Sequence, residues 1–384
     1  MNLSITHDLE YLALFSFVLI FPKVLLRYQI PSGITALFIG VVAAYFDPKL
    51  KTDQLFKFLS QIGITSLFLF AGLEIEIKEL KENRSYIFKY LIQSFIILGF
   101  MSFGMHRITQ FPVQDSIIFC LGIFTPSAGF IINTLKTYDL TDYQEYWVKS
   151  KAISKEILAI LILFLAMQGG DLKTLAISSG LFLALILTLP YVFKFFFRFI
   201  SPFAPNSEIP FLVVLSLITG VLSKELGAYY LVGAFVVGII GSTFKEEIFH
   251  EGEESIFKAL SGFFGVFLPF YFFFAGLKIS IEAFNLKQLI LALGFIVLFI
   301  PLRFFYITFG MKTFLKTGEK GEKIISLFLL PNLIFGIVIA GILLEREAIS
   351  LDYVYALLIY TIASSIIPAL FFRPDKQTLL SDSK

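Results

Sequence analysis

Long apolar stretches separated by short polar ones run through the whole chain. Each is of spanning or near-spanning length and predicts a helix that crosses a lipid bilayer. The thirteen stretches lie at about 9–26, 31–46, 55–73, 85–104, 114–135, 148–168, 172–199, 208–224, 228–243, 259–277, 286–311, 323–344 and 350–371. Little sequence is left for a soluble domain. The pattern therefore predicts an all-α polytopic membrane protein, with residues 1–384 forming a single membrane domain.

The composition excludes an ordinary soluble domain, because 57% of the residues are hydrophobic and only 16% are charged. The first ten residues contain no lysine or arginine, so we expect no cleavable signal peptide. The net charge of +2 does not indicate a nucleic-acid partner, because the basic residues are spread over the loops. The single cysteine excludes an intramolecular disulfide. We expect neither an enzyme nor a cofactor.

The distribution of basic loop residues predicts the orientation, because Lys and Arg are retained on the cytoplasmic side. Nineteen lie in the loops on one side, with Lys151 counted among them, and nine lie on the other. This ratio predicts an outer N-terminus, a cytoplasmic C-terminal tail at 373–384 and a location in the cell (inner) membrane. The acidic run 246–254 and His106 are predicted to lie in solvated links.

Parts of the sequence recur at nearly one spacing. Residues 70–77 (FAGLEIEI) resemble 274–281 (FAGLKISI) at an offset of 204, FGM at 103–105 recurs at 309–311, and Pro126 matches Pro331 at an offset of 205. The matches pair the third span with the tenth and the fifth with the twelfth. Because an odd number of spans separates the copies, they enter the membrane from opposite sides. The sequence thus predicts an inverted repeat.

The sixth span carries Lys155 and Glu156 within an apolar helix. Charged groups at membrane depth are expensive, so they indicate a functional site. Arg303 of the eleventh span lies at a similar predicted depth, near the midplane, and is the expected partner of Glu156. We expect Glu156 to bind an ion or a proton and Arg303 to provide a counter-charge.

The fifth and twelfth spans each contain a proline, Pro126 and Pro331, at this same predicted depth. A proline there should kink or unwind the helix. Irregular backbone there is tolerated only where it is buried in protein or lines a cavity. We expect the breaks to include Pro126, Gly129, Pro331 and Gly336, and the polar side chains around them to contribute ligands: Thr125, Ser127 and Asn332. No metal site is expected beyond the transported cation.

Several phrases, in order along the chain, resemble the Kef-type and sodium/proton antiporter branch of the monovalent cation:proton antiporter superfamily. They are YQIPS at 28–32 continuing into FIG at 38–40, LFLFAGLE at 67–74, GAFVVG at 233–238, and residues 269–277. The resemblance implies a thirteen-helix antiporter fold with two crossed unwound helices. It also implies a homodimer that works by an elevator motion.

The resemblance further implies a division of the chain. The dimerisation half would comprise about 1–83 and 208–283, the core half about 84–168 and 284–372, with a linker helix at 172–199. The family's acidic position falls on Glu156, where aspartate is commoner, and its basic position falls on Arg303. Lys155 departs from the family pattern. Kef-type relatives carry a further nucleotide-binding domain, and gating through such a domain is not expected here.

The mechanism expected from these residues is competition at one carboxyl group. An ionised Glu156, with oxygens of the broken helices, would hold a cation such as Na⁺ or K⁺, and a protonated Glu156 would not. Lys155 has two interpretations: it snorkels to water, or it belongs to the site. The position of Lys155 nearer the inner surface favours the first, so we expect electroneutral exchange, one cation for one proton. The alternative function is a non-transporting or channel-like subunit, because Lys155, Glu156 and Arg303 are together net positive and suit an anion.

Overall fold

The computed structural model describes residues 2–26, 31–75, 83–135, 138, 140–168, 172–204, 207–227, 229–244, 248, 253–280, 285–315 and 319–371. The predicted tail at 373–384 and most of the acidic run lie outside them. The described residues form helices and no strands, which confirms the all-α prediction. In order these are α1 (Asn2–Leu26), α2 (Ser32–Phe46), α3 (Gln54–Leu73), α4 (Arg84–Thr109), α5a (Val113–Phe124), α5b (Ala128–Leu135), α6 (Asp142–Met167), α7 (Leu172–Phe195), α8 (Glu208–Glu225), α9 (Tyr230–Gly241), α10 (Glu253–Leu277), α11 (Leu286–Leu315), α12a (Glu319–Phe328), α12b (Leu333–Arg346) and α13 (Leu351–Phe371).

Counting α5 and α12 once each, these helices match the thirteen predicted spans. Seven are long and apolar enough to cross a membrane: α3, α4, α5, α7, α11, α12 and α13. The helices α2 and α9 and the second half of α10 are shorter apolar segments. The chain is a multi-pass membrane protein.

Several helices extend beyond the predicted spans, and two of these differences involve residues discussed below. α6 begins at Asp142, earlier than expected, because Thr141 and Gln144 form a capping box that satisfies its first N–H groups. α4 continues to Thr109, so the prediction that His106 lies in a link is wrong. His106 belongs to the last turn of α4, and its Nδ1 lies 2.6 Å from the carbonyl oxygen of Phe111.

The helices form two groups. α2, α3, α8, α9 and α10 pack mainly against one another, with α1 on their edge, whereas α4, α5, α6, α11, α12 and α13 pack together around α5 and α12. The groups are joined by a few contacts, such as those between α3 and α5b. The predicted boundaries of the two halves remain a prediction. The roles assigned to those halves remain predictions.

Glycines bring the helices of the first group into backbone contact. A Cβ on Gly40 or Gly276 would lie 2.0 Å or 2.1 Å from a carbonyl oxygen of the facing helix, so α2 and α10 touch directly. Gly72 and Gly238 bring α3 and α9 together in the same way, at 2.5 Å and 2.2 Å. Small residues permit such close helix packing in membranes. Since α3 matches α10 and α2 matches α9 in the repeat, the two contacts are equivalent, and the repeated FAGL phrase is a packing motif.

Candidate functional site

Helices α5 and α12 are interrupted where the prolines predicted it. Residues Thr125 to Ser127 separate α5a from α5b, and residues 329–332 separate α12a from α12b. Proline has no N–H group and disfavours the helical conformation of the residue before it. Each break therefore releases backbone groups inside a buried region, where water cannot satisfy them.

The two breaks satisfy each other through Ser127. Its backbone N–H donates to the carbonyl oxygen of Pro331 over 3.0 Å, and its hydroxyl oxygen accepts from the backbone N–H of Phe335 over 2.9 Å. In an uninterrupted helix, Phe335 would donate to Pro331. Ser127 is thus inserted between them, so the crossing of α5 and α12 is held by direct hydrogen bonds.

Asn332 links the crossing to its surroundings. Its Nδ2 donates to the carbonyl oxygen of Gly122 over 2.5 Å, and its Oδ1 accepts from the hydroxyl group of Ser364 on α13. Asn332 and Ser127 are fully buried, and Thr125 is 1% exposed. An amide oxygen has two lone pairs, so one remains for a further donor or a cation. The structure brings all three predicted polar ligands into one crossing.

Gly129 and Gly336 were predicted as parts of the breaks, and the structure corrects this. Both lie within the first turns of the following half-helices, α5b and α12b. Their role is packing: a Cβ on Gly336 would lie 2.3 Å from Oγ1 of Thr361, and one on Gly129 would lie 3.1 Å from Cδ1 of Leu67. Irregular backbone is confined to the residues before them.

Glu156 faces the break in α5. Its side chain is 2% exposed, and the backbone N–H of Ala128, the first residue of α5b, interacts with the carboxylate. The N-terminal end of a helix carries partial positive charge, which favours an anion there. Among the residues that the structure describes, Oε2 of Glu156 has no hydrogen-bond partner. A buried carboxylate with an unused oxygen can receive either a proton or a cation.

The expected ion pair between Glu156 and Arg303 is not formed. Arg303 is fully buried and donates instead to the Tyr360 hydroxyl over 3.1 Å and to the carbonyl oxygen of Leu329 over 3.0 Å. Leu329 follows the last residue of α12a, where free carbonyl groups carry partial negative charge. Glu156 thus lies at the partly positive start of α5b, and Arg303 lies at the partly negative end of α12a. These helix ends stabilise the two charges in place of a direct ion pair.

Lys155 does not reach water, so the snorkelling interpretation is wrong. The side chain is 6% exposed, its Nζ donates to the hydroxyl group of Tyr306, and it lies 4.7 Å from the centre of that ring. The aromatic face of α11 holds the amine beside the charge of Arg303. Lys155 therefore lies inside the protein at the level of the predicted site.

Lys151, which the loop-charge count placed at the surface, is fully buried. Its Nζ donates to the Tyr86 hydroxyl over 2.7 Å and lies 4.2 Å from the centre of the Tyr90 ring. The count on the cytoplasmic side falls to eighteen against nine, so the predicted orientation is unchanged. The sequence does contain the signal: Lys151 precedes Lys155 by four residues and therefore shares its helix face.

Two further acidic residues are buried, and the sequence pattern did not predict them. Asp115, in the first turn of α5a, pairs with Nε of Arg346 in the last turn of α12b at 2.5 Å. Glu322 of α12a is fully buried. Both lie near helix ends, where the hydropathy pattern does not distinguish a solvated acid from an enclosed one. Among the described residues no cluster of three His, Cys, Asp or Glu side chains suits a resident metal ion.

Comparison with known proteins gives consistent matches along the chain. It is 21% identical to the probable Na⁺/H⁺ antiporter 3 of Methanocaldococcus jannaschii over 77% of either chain. It is 24% identical to the Na⁺/H⁺-K⁺ antiporter GerN of Bacillus cereus over 88% of either chain. The structure of the sodium proton antiporter MjNhaP1 from M. jannaschii at pH 8 superimposes with a TM-score of 0.66, at 15% identity, covering 95% of this chain and 96% of that one.

The structural match shows a shared fold: thirteen helices with two crossed broken helices. The profile of the family described as "Sodium/hydrogen exchanger, transmembrane" covers residues 12–374, nearly the whole chain. The chain belongs to the sodium/hydrogen exchanger family.

Proposed function

We propose that this protein exchanges Na⁺ or K⁺ for protons across the membrane. The observation that carries the proposal is the Glu156 carboxylate, which is buried at the break of α5 with Oε2 unused. The family assignment supports cation:proton exchange. The named relatives include a probable Na⁺/H⁺ antiporter and an Na⁺/H⁺-K⁺ antiporter, so both cations are tested.

Competition for Glu156 couples the two ions. The ionised carboxylate, with oxygens from Thr125, Ser127 and Asn332, binds a small hard cation, for which oxygen ligands are preferred. A proton on the carboxyl group removes the negative charge and releases the cation. Burial favours the neutral form of a carboxyl group, and a nearby cation or helix N-terminus favours the charged form. These opposing effects allow Glu156 to alternate between the two states.

The second helix group, built around α5 and α12, moves as the core in this proposal, and the first group holds a homodimer in the membrane. The limited contact between the groups supports such a motion. Lys278, directly after the end of α10, pairs with Glu345 of α12b at 3.1 Å, joining the groups at an exposed site. This ion pair breaks when the core slides. The core moves between its two positions only when a proton or a cation neutralises Glu156, because an uncompensated charge inside the membrane is expensive.

The direct test uses purified protein in proteoliposomes with an internal pH indicator. Adding Na⁺, K⁺ or Li⁺ outside an acid-loaded vesicle drives proton efflux if the proposal is correct. A cation-independent ionic current, or no proton movement with any of these ions, rejects it. The current would support the channel-like alternative. The observation in its favour is that the buried basic residues Lys151, Lys155 and Arg303 outnumber the buried acidic residue Glu156. Empty vesicles and a Glu156→Gln variant provide the controls.

A further inference from the structure

Lys151 has no counter-ion in the part of the chain that the structure describes. No carboxylate there lies within ion-pair distance of its Nζ, although the side chain is fully enclosed. Its surroundings are the hydroxyl group of Tyr86 and the rings of Tyr86 and Tyr90, whose centres lie 5.2 Å and 4.2 Å from Nζ. Desolvation penalises a charged amine and favours the neutral one.

The same surroundings hold the amine in either state. As an ammonium group, Lys151 is stabilised over the Tyr90 ring by a cation–π interaction. As a neutral amine, it still donates to Tyr86 and gains a lone pair that accepts a proton. The Tyr86 oxygen is free to accept because its own hydrogen is directed to Sδ of Met311, 3.1 Å away.

Lys151 and Lys155 lie on the same face of α6. They are four residues apart, about 6 Å along the helix axis, and each amine donates to a tyrosine hydroxyl. Tyr90 lies near Tyr86, Tyr306 and the positive charge of Arg303. The other titratable or charged groups around Lys151 and its tyrosines are Tyr143 and Lys155 of α6, Arg303 and Tyr306 of α11, and Glu322 of α12a.

We propose that Lys151 is a second proton-binding group. Its amine takes up and releases the transported proton on a route between Lys155 and Asp142, the first residue of α6. This inference rests on the proposed function. One N–H bond breaks and one N–H or O–H bond forms: the ammonium group gives its proton to a neighbouring amine or water molecule and later regains one. A purely structural lysine, anchoring α6 to α4, would keep one charge state throughout.

The chain contains its own reporter for this step. Trp147 is the sole tryptophan, it precedes Lys151 by one helical turn, and its ring lies 4.7 Å from that of Tyr86, the hydrogen-bond partner of Lys151. A change of charge at Lys151 therefore changes the surroundings of the indole. Its fluorescence can be followed in the intact native protein, with excitation at wavelengths that tyrosine does not absorb.

The experiment records Trp147 emission against pH, with and without Na⁺, in the purified native protein. We expect a titration whose midpoint moves to lower pH when Na⁺ binds, because a bound cation disfavours a second positive charge nearby. Lys151→Gln and Lys151→Arg abolish the titration, since an amide does not titrate and a guanidinium stays charged. Lys149→Gln is the matched control: Lys149 is a half-exposed neighbour paired with Glu145, and the titration persists without it.

The proposal is overturned if native protein shows no titration, or if the same titration persists in Lys151→Gln or Lys151→Arg. If neither variant folds, Glu322→Gln, Tyr143→Phe and Lys155→Gln decide: loss of the signal in any of them assigns it to that residue and overturns the proposal, and retention in all three supports Lys151. Cation-driven proton flux without the titration rejects this inference alone. The titration without flux keeps Lys151 as a proton site and rejects the proposed function.

Discussion

The backbone N–H of Ser127 donates to the carbonyl oxygen of Pro331 over 3.0 Å, so the break in α5 occupies a group released by the break in α12. The Ser127 hydroxyl accepts from the Phe335 N–H, which would otherwise be the helical donor to Pro331. One serine therefore supports two interrupted helices. The pair of breaks is a single bonded unit, and it carries Thr125, Ser127 and Asn332 of the proposed cation site.

Ser127→Ala removes the acceptor of the Phe335 N–H and leaves that group buried without a partner. We expect a loss of about 1–3 kcal/mol in the free energy of unfolding, measured as a lower melting temperature in detergent. Ser116→Ala on α5a is the matched control, because the Ser116 hydroxyl is equally buried and has no partner. Equal destabilisation by the two substitutions would contradict the role of Ser127.

Glu156→Gln should abolish cation-driven proton flux while leaving the protein folded, because an amide carries no negative charge and binds no proton. Glu156→Asp should retain part of the activity, since the carboxylate remains but is withdrawn by one methylene group. The measurement is proton efflux from proteoliposomes. Glu145→Gln, at the exposed start of the same helix, should leave the flux unchanged. Normal flux in Glu156→Gln would reject the mechanism.

Lys155 should make exchange sensitive to the membrane potential. The case for electroneutral exchange depended on a lysine exposed to water, and this side chain is buried against Tyr306. If Lys155 loses its proton when the cation binds, a second proton returns in each cycle. We expect the Na⁺-driven rate to change steeply with a clamped potential in native protein and weakly in Lys155→Gln. A rate independent of potential in native protein would restore the electroneutral interpretation.

Gly336→Ala should destabilise the core, because the added Cβ would lie 2.3 Å from Oγ1 of Thr361 in a packed interface. Overpacking of this kind costs about 1–3 kcal/mol, visible as a lower melting temperature. Gly341→Ala on the same helix provides the control, since no heavy atom lies within 4 Å of its added Cβ. We expect Gly341→Ala to be neutral or slightly stabilising.

The loop charges, eighteen against nine after Lys151 is removed from the count, predict an outer N-terminus and a cytoplasmic C-terminus. Reporter fusions at Met1 and Lys384 should therefore respond from opposite sides of the membrane. An odd number of spans requires this result. Reporters on the same side would be incompatible with thirteen crossings.

The sequence by itself determined the helices and the places where two of them break. Apolar length predicts each span because the bilayer core has a fixed thickness, and Pro126 and Pro331 interrupt their helices because proline lacks an N–H group. The recurrence of FAGL predicted that α3 and α10 are repeat mates. The structure shows equivalent glycine contacts in the two helices, from Gly72 to α9 and from Gly276 to α2. These features are local or periodic, and the sequence contains them directly.

Only the tertiary structure decided which charges meet. Arg303 and Glu156 lie at similar predicted depth, yet Arg303 binds the end of α12a and Glu156 faces the start of α5b. Lys151 was counted with the loop charges because it lies close to the predicted start of the sixth span, and the aromatic rings that enclose it belong to α4, distant in sequence. A charge in a membrane takes whichever partner the packing offers. Sequence spacing gives its height along a helix, and the neighbouring helices decide its surroundings.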